Sequence, residues 1–542
     1  MKIKYNIVND KESYKAFITD IRTRSLFTFD LETTGLATHS EGIQIVGIGF
    51  CYSVGLAYYI PFNGNLDSND ILNDLREIFE NDTIAKTGHN VKFDARVLDR
   101  FGIKVKNIIF DTMVASYCLY GDRIRHNLDD ISLHHFNHVK VRTKTLIPKK
   151  TKTNPTPSML QSSIEDVGTY CCEDVDFSFR AYERLTKLLS LEENSAAANI
   201  FYKIDMPLVE VLLEMECGGV KIDETKMDAL REELSINLAS LQSDINILAG
   251  REITLTNPKD ISDLVYTELD LCNKYKINVK KTASGASSTE KDTLKLFATE
   301  PIVNKILEYK TLSKLISTYI LSIPEFISKY TGLMHPFFSQ TRTSTGRLAS
   351  SEPNCQNIPA KNPIGKKIRG TFVSRWPGGK ILASDYSQAE LRILAHISKE
   401  PVFIKAYNDN IDIHLAVAAD IIYDKPKEEV LKEERTAVKT INFGLLYGMR
   451  AKKLAATLDI DFKVAEKMMN KYMTKMKGLK TFLDSARESA RANGYTETYF
   501  GRRRYVSKIF STNTMDQWAA EREAANHIIQ GTNADIIKLA MI

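Results

Sequence analysis

Ser384-Asp385-Tyr386-Ser387-Gln388-Ala389-Glu390-Leu391-Arg392-Ile393-Leu394-Ala395-His396 is the stretch on which the reading of this chain turns. The apolar run Lys380-Ile381-Leu382-Ala383 precedes it and reads as a strand that delivers Asp385 to its end. The pattern then becomes helical, with Leu391, Ile393 and Leu394 as apolar positions. A carboxylate at a strand-to-helix junction is well placed to hold a divalent metal, because the strand fixes it and the loop admits a ligand. The bland alternative is an ordinary helix N-cap, which base rates favour for an isolated Asp. The rest of the chain decides between the two.

Composition sets wide bounds. At about 150 residues per domain, 542 residues suggest three or four units. The apolar content of 43% and charged content of 26% are those of an ordinary globular protein. A net charge of +5 does not by itself demand a nucleic-acid partner, so the distribution of charge must decide. The seven cysteines include no CxxC pair, which argues against a zinc site or a disulfide framework and for reduced thiols. The N-terminus lacks the apolar stretch of a signal peptide, and no run is long enough to span a membrane. The expectation is a cytoplasmic protein, with organelle import left open.

In the N-terminal third, Leu26-Phe27-Thr28-Phe29-Asp30-Leu31-Glu32-Thr33 alternates as a strand does, so Asp30 and Glu32 share a face. Strands over 43–50 and 56–60 follow. Two carboxylates on one strand face repel unless a cation lies between them, although a solvated edge strand would tolerate the pair. Further carboxylates add weight. Gly88-His89-Asn90-Val91-Lys92-Phe93-Asp94 starts a helix at Asp94, and Tyr170-Cys171-Cys172-Glu173-Asp174 sets Tyr170 and Asp174 one helical turn apart. These three motifs, in this order, resemble those of the DEDD 3′→5′ exonucleases in their Tyr-containing variety. The resemblance implies that Asp30, Glu32, Asp94 and Asp174 hold two metal ions and that Tyr170 orients the attacking water. The stretches at Asp111-Thr112-Met113 and His126-Asn127-Leu128-Asp129-Asp130 also resemble a proofreading domain, with Asp111 a structural residue or a support to the ligands and not itself a ligand. The Lys/Thr/Pro-rich segment 140–157 reads as an exposed loop near the substrate strand.

From Asn194 the periods lengthen into helices over 204–216, 227–248 and 302–319, separated by a Gly stop at Gly218-Gly219, a turn at Thr256-Asn257-Pro258 and a basic loop over 280–289. Later, Arg435, Lys439, Phe443 and Tyr447 recur every four residues along one helix face. Two cations followed by two aromatics fit a nucleoside triphosphate laid along that face. Arg522, Asn526 and Gln530 line another helix in the same way, and Tyr499-Phe500-Gly501-Arg502-Arg503-Arg504-Tyr505 is a basic patch flanked by aromatics.

The opening stretch, the helix of Arg435 and Lys439, and the polar run Thr345-Gly346-Arg347-Leu348-Ala349-Ser350-Ser351-Glu352-Pro353-Asn354-Cys355-Gln356-Asn357-Ile358-Pro359 together resemble family A DNA polymerases. Ala349 and Cys355 are small departures from the family pattern. The resemblance implies an α/β and α+β multidomain chain: an RNase H-like DEDD exonuclease domain over 1–190, then a right-hand polymerase domain over 191–542. Within the latter it implies a thumb over 191–340, palm over 341–400, fingers over 401–495 and a partial palm over 496–542. It makes Asp385, with the backbone of Tyr386, a metal ligand, and Glu390 the residue that excludes a ribonucleotide 2′-hydroxyl. Gln388, His414, Arg435, Lys439, Phe443 and Tyr447 would meet the incoming nucleotide, with Phe443 discriminating against dideoxynucleotides. Arg347, Gln356, Asn357, Arg522, Asn526 and Gln530 would meet primer-template DNA. Each active site would use two Mg2+ (or Mn2+) ions, with dNTPs as substrates.

The third palm motif of the family, His-Asp-Glu, occurs nowhere in the sequence. The family's 5′-nuclease domain is missing too, as in several phage-type relatives. Three readings stay open: a split or truncated polymerase completed by a C-terminal fragment in trans, an exonuclease whose polymerase half only grips DNA, and a non-enzymatic DNA-binding scaffold. The first is favoured, with digestion of single-stranded 3′ ends in Mg2+ and poor or no primer extension expected of this chain alone.

Overall fold

A computed structural model of the chain describes residues 3–542 except 40, 41, 152, 153, 155, 283, 284, 361 and 447, with the backbone alone at 445 and 446. The described residues fall into two compact units. The first takes Met1–Cys217, Phe338–Ala349 and Ala383–Ile542, and the second takes Gly218–Phe337 and Ser350–Leu382.

The first unit is built on a six-stranded mixed sheet: β1 (Lys4–Ile7), β2 (Leu26–Thr33), β3 (Ile45–Ser53), β4 (Leu56–Pro61), β5 (Ala85–Gly88) and β6 (Ile108–Asp111), in the spatial order β1-β4-β3-β2-β5-β6. β2 runs antiparallel to β3 and parallel to β5. Because side chains alternate along β2, its two faces differ in chemistry. Phe27 and Phe29 point to one side, where Phe29 meets Phe79 edge-on at 4.7 Å between ring centroids and Phe27 meets it at 5.6 Å. Asp30 and Glu32 point to the other side, beneath the long Ile164–Leu189 helix.

Two glycines let that helix lie directly on the sheet. A Cβ at Gly49, the cross-strand partner of Asp30, would sit 2.6 Å from Sγ of Cys171. A Cβ at Gly168 would sit 2.8 Å from the Tyr59 ring. The close approach carries Tyr170 and Asp174 down to the level of the strand carboxylates.

The remainder of this unit is helical, with Leu391, Leu394, Phe403, Val438, Tyr472 and Ile529 in its core. A hairpin of Tyr495–Glu497 and Arg503–Tyr505 packs beside the Thr514–Met541 helix. The three arginines of the basic patch are spent in ion pairs. Arg503 pairs with Glu497 and Arg504 with Glu523, at 2.8 and 2.9 Å. Arg502 is buried between Asp205 and Asp535, each 2.7 Å away, and Lys538 closes on Asp205 at 2.6 Å. Two cations and two carboxylates without access to water offset one another's desolvation, so this quartet is structural.

One expected strand does not form. Residues 380–383 have no strand conformation, and Ile381 and Leu382 are 56% and 94% exposed. A strand is stable when a neighbour takes up its N–H and C=O groups. No strand among the described residues pairs with this run, so its backbone faces water.

In the second unit the Glu224–Ala249 helix packs along the Pro301–Leu315 helix. Met227, Leu230, Leu312 and Leu315 form a core near one end of the pair, and Ile245, Val303 and Ile306 belong to a separate core at the other. The helices over 227–248 and 302–319 thus form at the expected places, and Asn257 caps a short helix at the expected turn, accepting a bond from the Lys259 N–H. A short antiparallel pairing of Phe372–Val373 with Lys221–Ile222 belongs to the same unit.

Candidate active site

Four carboxylates from three separate elements converge on the helix-covered face of the sheet. Asp30 and Glu32 come from β2, Asp94 from the first turn of the Val91–Arg100 helix, and Asp174 from the Ile164–Leu189 helix. Asp94 is fixed by the Leu31 N–H, which donates to its Oδ1 at 3.0 Å. Asp111 anchors the start of the Asp94 helix. Its carboxylate accepts from the N–H groups of Asn90 and Val91 at 3.1 and 2.9 Å while also capping the Thr112–Tyr120 helix, which makes it structural as expected.

Electrostatics show how closely the four are gathered. Burial pushes Asp30 up from the ordinary carboxylate range, and the charge of Asp174 adds to it. Burial also raises Glu32, helped by Asp30, Asp174 and Asp94. Burial and then Asp30 raise Asp94. Asp174 is raised by burial while Lys140 pulls it back. Oε1 of Glu32 is buried without a hydrogen-bond partner. Ligand atoms of Asp30, Glu32 and Cys171 lie within 4.8 Å of one another. A largely buried, mutually repelling set of oxygen donors with an orphaned carboxylate oxygen is suited to hard divalent cations, so these residues fit the metal ions that the sequence resemblance implies.

Sequence reasoning missed Lys140. Placed in an exposed loop by its composition, its side chain is 1% exposed, and its Nζ bonds Asp174 and lies 3.8 Å from Asp129. The reason is local. Glu173, beside Asp174, accepts from His138 Nε2 and from the Val141 N–H at 2.9 Å each, and the His138 ring stacks on Phe177 at 4.1 Å. The Tyr170 hydroxyl meets Oγ1 of Thr143 at 2.8 Å. Residues 138–143 are therefore fastened to the same helix that carries Tyr170 and Asp174. Composition carries no signal for this, because the anchors lie some thirty residues further along the chain.

The residues expected at a polymerase site are placed unevenly. Asp385 and Tyr386 lie exposed ahead of the Ala389–Ser398 helix, and among the described residues no group of three potential ligands forms around Asp385. Gln388 accepts from the Tyr407 hydroxyl at 3.0 Å, and Glu390 pairs with Arg347. The Lys432–Leu446 helix does bring a group together. Arg435 grips Asp412 through two bonds of 3.2 and 2.6 Å, Lys439 is exposed, and Phe443 lies 5.7 Å from the His414 ring. Burial pushes His414 down to about 4, with Arg435 and Lys439 adding to the shift against the pull of Asp412. Its Nδ1 meets Nδ2 of Asn442, whose Oδ1 accepts from the Tyr472 hydroxyl at 2.8 Å. Tyr447 lies outside the described residues.

On the Thr514–Met541 helix, Arg522 is exposed, Asn526 half-buried and Gln530 buried. In the second unit, Gln356 accepts from the Ser350 N–H at 3.0 Å, and the Asn357 carbonyl accepts from the Tyr319 hydroxyl. Asn442 and Asp205 are further residues the sequence did not single out, whereas Asp412 belongs to the Asp412-Ile413-His414 stretch that resembles a fingers segment close to the incoming nucleotide. Arg435 and His414 point to Asp412 and Asn442 once the helices are in place.

A sheet-borne carboxylate centre under a long helix, followed by a helical region with a cationic and aromatic face, defines an exonuclease domain joined to a polymerase-type domain. Family models agree: one described as 3′-5′ exonuclease matches residues 5–190, and one described as DNA polymerase family A matches residues 224–542. The chain belongs to DNA polymerase family A. Its relatives include DNA polymerase I of Pseudomonas aeruginosa, 34% identical over all of this chain and 59% of the relative. DNA polymerase I of Chloroflexus aurantiacus is 32% identical over 99% of this chain and 56% of its own length. The chain thus spans under two thirds of these curated relatives. Among solved structures, the POL domain of Pol1 from M. smegmatis, in complex with DNA primer-template and dNTP, superimposes with a TM-score of 0.80. It is 26% identical, over 99% of this chain and 88% of that one. No helix among the described residues is long and apolar enough to cross a membrane.

Proposed function

We propose that this chain digests DNA from the 3′ end at the carboxylate centre and carries, in the same polypeptide, a domain that binds primer-template DNA and dNTPs for template-directed synthesis. The observation that carries the first part is the convergence of Asp30, Glu32, Asp94 and Asp174 around a carboxylate oxygen with no partner of its own. In this reading the four residues hold two Mg2+ or Mn2+ ions. Bound divalent ions supply the positive charge that in-line phosphoryl displacement requires at the attacking and leaving oxygens. Tyr170, held by Thr143, orients the water, and Asp94, fixed by the Leu31 N–H, keeps its ligand oxygen in place. The domain division is 1–190 for the nuclease and 191–542 for the polymerase, with thumb, palm and fingers over the ranges given by the family resemblance.

For synthesis, Arg435, Lys439, Phe443 and Tyr447 receive the nucleotide and His414 stands beside them. Gln388 and Glu390 shape the sugar site, and Asp385 with Tyr386 serves the metals. Arg347, Gln356, Asn357, Arg522, Asn526 and Gln530 contact the primer-template. A second reading, in which the polymerase half grips DNA without copying it, is favoured by one observation: Asp385 stands in solvent, and among the described residues no group of three potential ligands includes it.

The test uses purified chain with Mg2+ and a 5′-labelled single strand. Asp30→Ala combined with Glu32→Ala removes digestion in the proposed mechanism, and unchanged digestion would overturn it. Primer extension by the nuclease-deficient protein that is lost in Asp385→Ala favours the first reading. No extension in either protein, together with no binding of dNTP to the complex with primer-template, favours the second.

A further inference from the structure

The buried ammonium of Lys140 is the unexpected feature of the nuclease centre. Its charge acts on Asp30, Glu32 and Asp174 together, and its bond goes to the one carboxylate supplied by the long helix. The segment that carries it is tied down at Tyr170, Glu173 and Phe177, so its position is built into the fold rather than borrowed from a mobile surface chain. Burying a lysine is costly unless it is paired, and here the partner is a residue the two-metal reading assigns as a ligand.

The charge balance makes the consequence specific. When ionised, the four carboxylates carry four negative charges. One divalent ion together with Lys140 leaves one of them unbalanced, whereas two divalent ions neutralise the set without the lysine. Lys140 therefore supports the centre before the metals are complete and opposes the arrival of the second ion.

We propose that Lys140 is a resident counter-cation, a positioning residue that holds Asp174 in the absence of metal and yields it when the second divalent ion binds, so that it sets the affinity for that ion. The inference rests on the two-metal nuclease reading of this site. Asp129, whose carboxylate lies 3.8 Å from Nζ and is 58% exposed, offers the ammonium an alternative partner.

The experiment is a Mn2+ titration of the full chain followed by electron paramagnetic resonance. The Asp30→Ala, Glu32→Ala protein defines the ions that belong to this centre. Lys140→Met removes the charge and keeps most of the volume, and Lys140→Gln is the second neutral variant. Both are expected to bind the second ion about tenfold more tightly, with the first ion little changed, the size of effect expected for removing a cation a few ångströms from the site. The melting temperature supplies a readout that a purely structural role would not give. The neutral variants melt below wild type in chelator and at or above it in saturating Mn2+. Two bound ions with unaltered or weaker second-site affinity in both variants would overturn the role of Lys140 and leave the nuclease reading standing. Fewer than two ions at this centre in wild type and variants alike would overturn both.

Discussion

The carboxylates at the sheet and the carboxylate of Asp385 belong to one unit of the molecule and live in opposite surroundings. Asp30, Glu32, Asp94 and Asp174 arrive from three elements; Glu32, Asp94 and Asp174 are buried and Asp30 half-buried, and neighbouring carboxylates add to the raised proton affinity of Asp30, Glu32 and Asp94. Asp385 is exposed on a run that pairs with no strand among the described residues. The difference shows what assembles a metal centre. A single well-placed carboxylate remains a solvated side chain, while several forced together at low dielectric need cations to be ionised at all. The helical face of Arg435 and Lys439 is intermediate, with one cation already neutralised by Asp412 and the other in solvent.

The largest effect that would break this contrast is on catalysis. Replacing Asp94 by Ala removes a carboxylate and its bond to the Leu31 N–H, and 3′ digestion is expected to fall by about a thousandfold or more, some 4 kcal/mol of barrier. The measurement is single-turnover cleavage of a 5′-labelled strand in Mg2+, and a loss under tenfold would mean that Asp94 is dispensable to the centre.

Next in size is a stability effect at the other buried charge cluster. Asp205 is bracketed by Arg502 and Lys538, and although burial acts to raise it, these two cations hold its carboxyl well below the usual range. Removing it strands the buried Lys538 and leaves Arg502 with Asp535 alone, so Asp205→Ala is expected to cost about 3–5 kcal/mol in urea unfolding. Here charges are matched within the protein, and the chelator-treated chain should lose just as much as the metal-loaded one. A loss that depends on metal would tie this quartet to the nuclease centre instead.

These two clusters also show how far the sequence could be read. The alternation of Leu26–Thr33 was enough to place Asp30 and Glu32 on one face, and the four-residue spacing of Arg435, Lys439 and Phe443 was enough to place them on one helix. Both are local periodicities, which backbone geometry converts directly into faces. Lys140 and Asp205 were invisible for the converse reason. Their roles depend on partners 34 and roughly 300 residues away, and nothing within a helical turn of either announces them. The strand expected at 380–383 failed similarly, because an apolar run specifies a strand only together with a neighbour that completes its ladder.

A smaller effect follows from pH. His527 is buried beside the quartet, with Nε2 on the Arg502 carbonyl at 3.0 Å and Nδ1 without a partner. Burial pushes it down to about 3, with Arg504 and Arg502 adding to the shift. Its folded-state value is thus depressed below the unfolded value of about 6.5. The unfolded chain takes up the proton first, so the stability His527 contributes is present above pH 6.5 and is lost as the pH falls toward 3. Asp205, also depressed, keeps its contribution to lower pH, since an unfolded aspartate titrates near 4. The expected urea midpoint declines between pH 6.5 and 4 before the quartet itself is touched, and His527→Gln flattens that first decline. An unaltered slope in His527→Gln would assign the decline to other buried histidines such as His414.

The smallest effect is the one that sharpens the contrast most. Asp385 is exposed and belongs to no group of three potential ligands among the described residues, so Asp385→Asn is expected to change unfolding stability in chelator by no more than about 0.5 kcal/mol. At the nuclease centre the same neutralisation acts differently. Glu32→Gln relieves repulsion among buried carboxylates, so the metal-free protein at pH 8 should melt higher than wild type, and the stabilisation gained on adding Mn2+ should shrink. A paired set of melting curves, in chelator and in Mn2+, separates the two kinds of carboxylate directly. If Asp385→Asn also alters the metal-dependent shift, then Asp385 meets a cation in solution despite its exposed position. The difference between the two regions would then lie in how firmly each site is held before metal arrives, and not in whether it binds one.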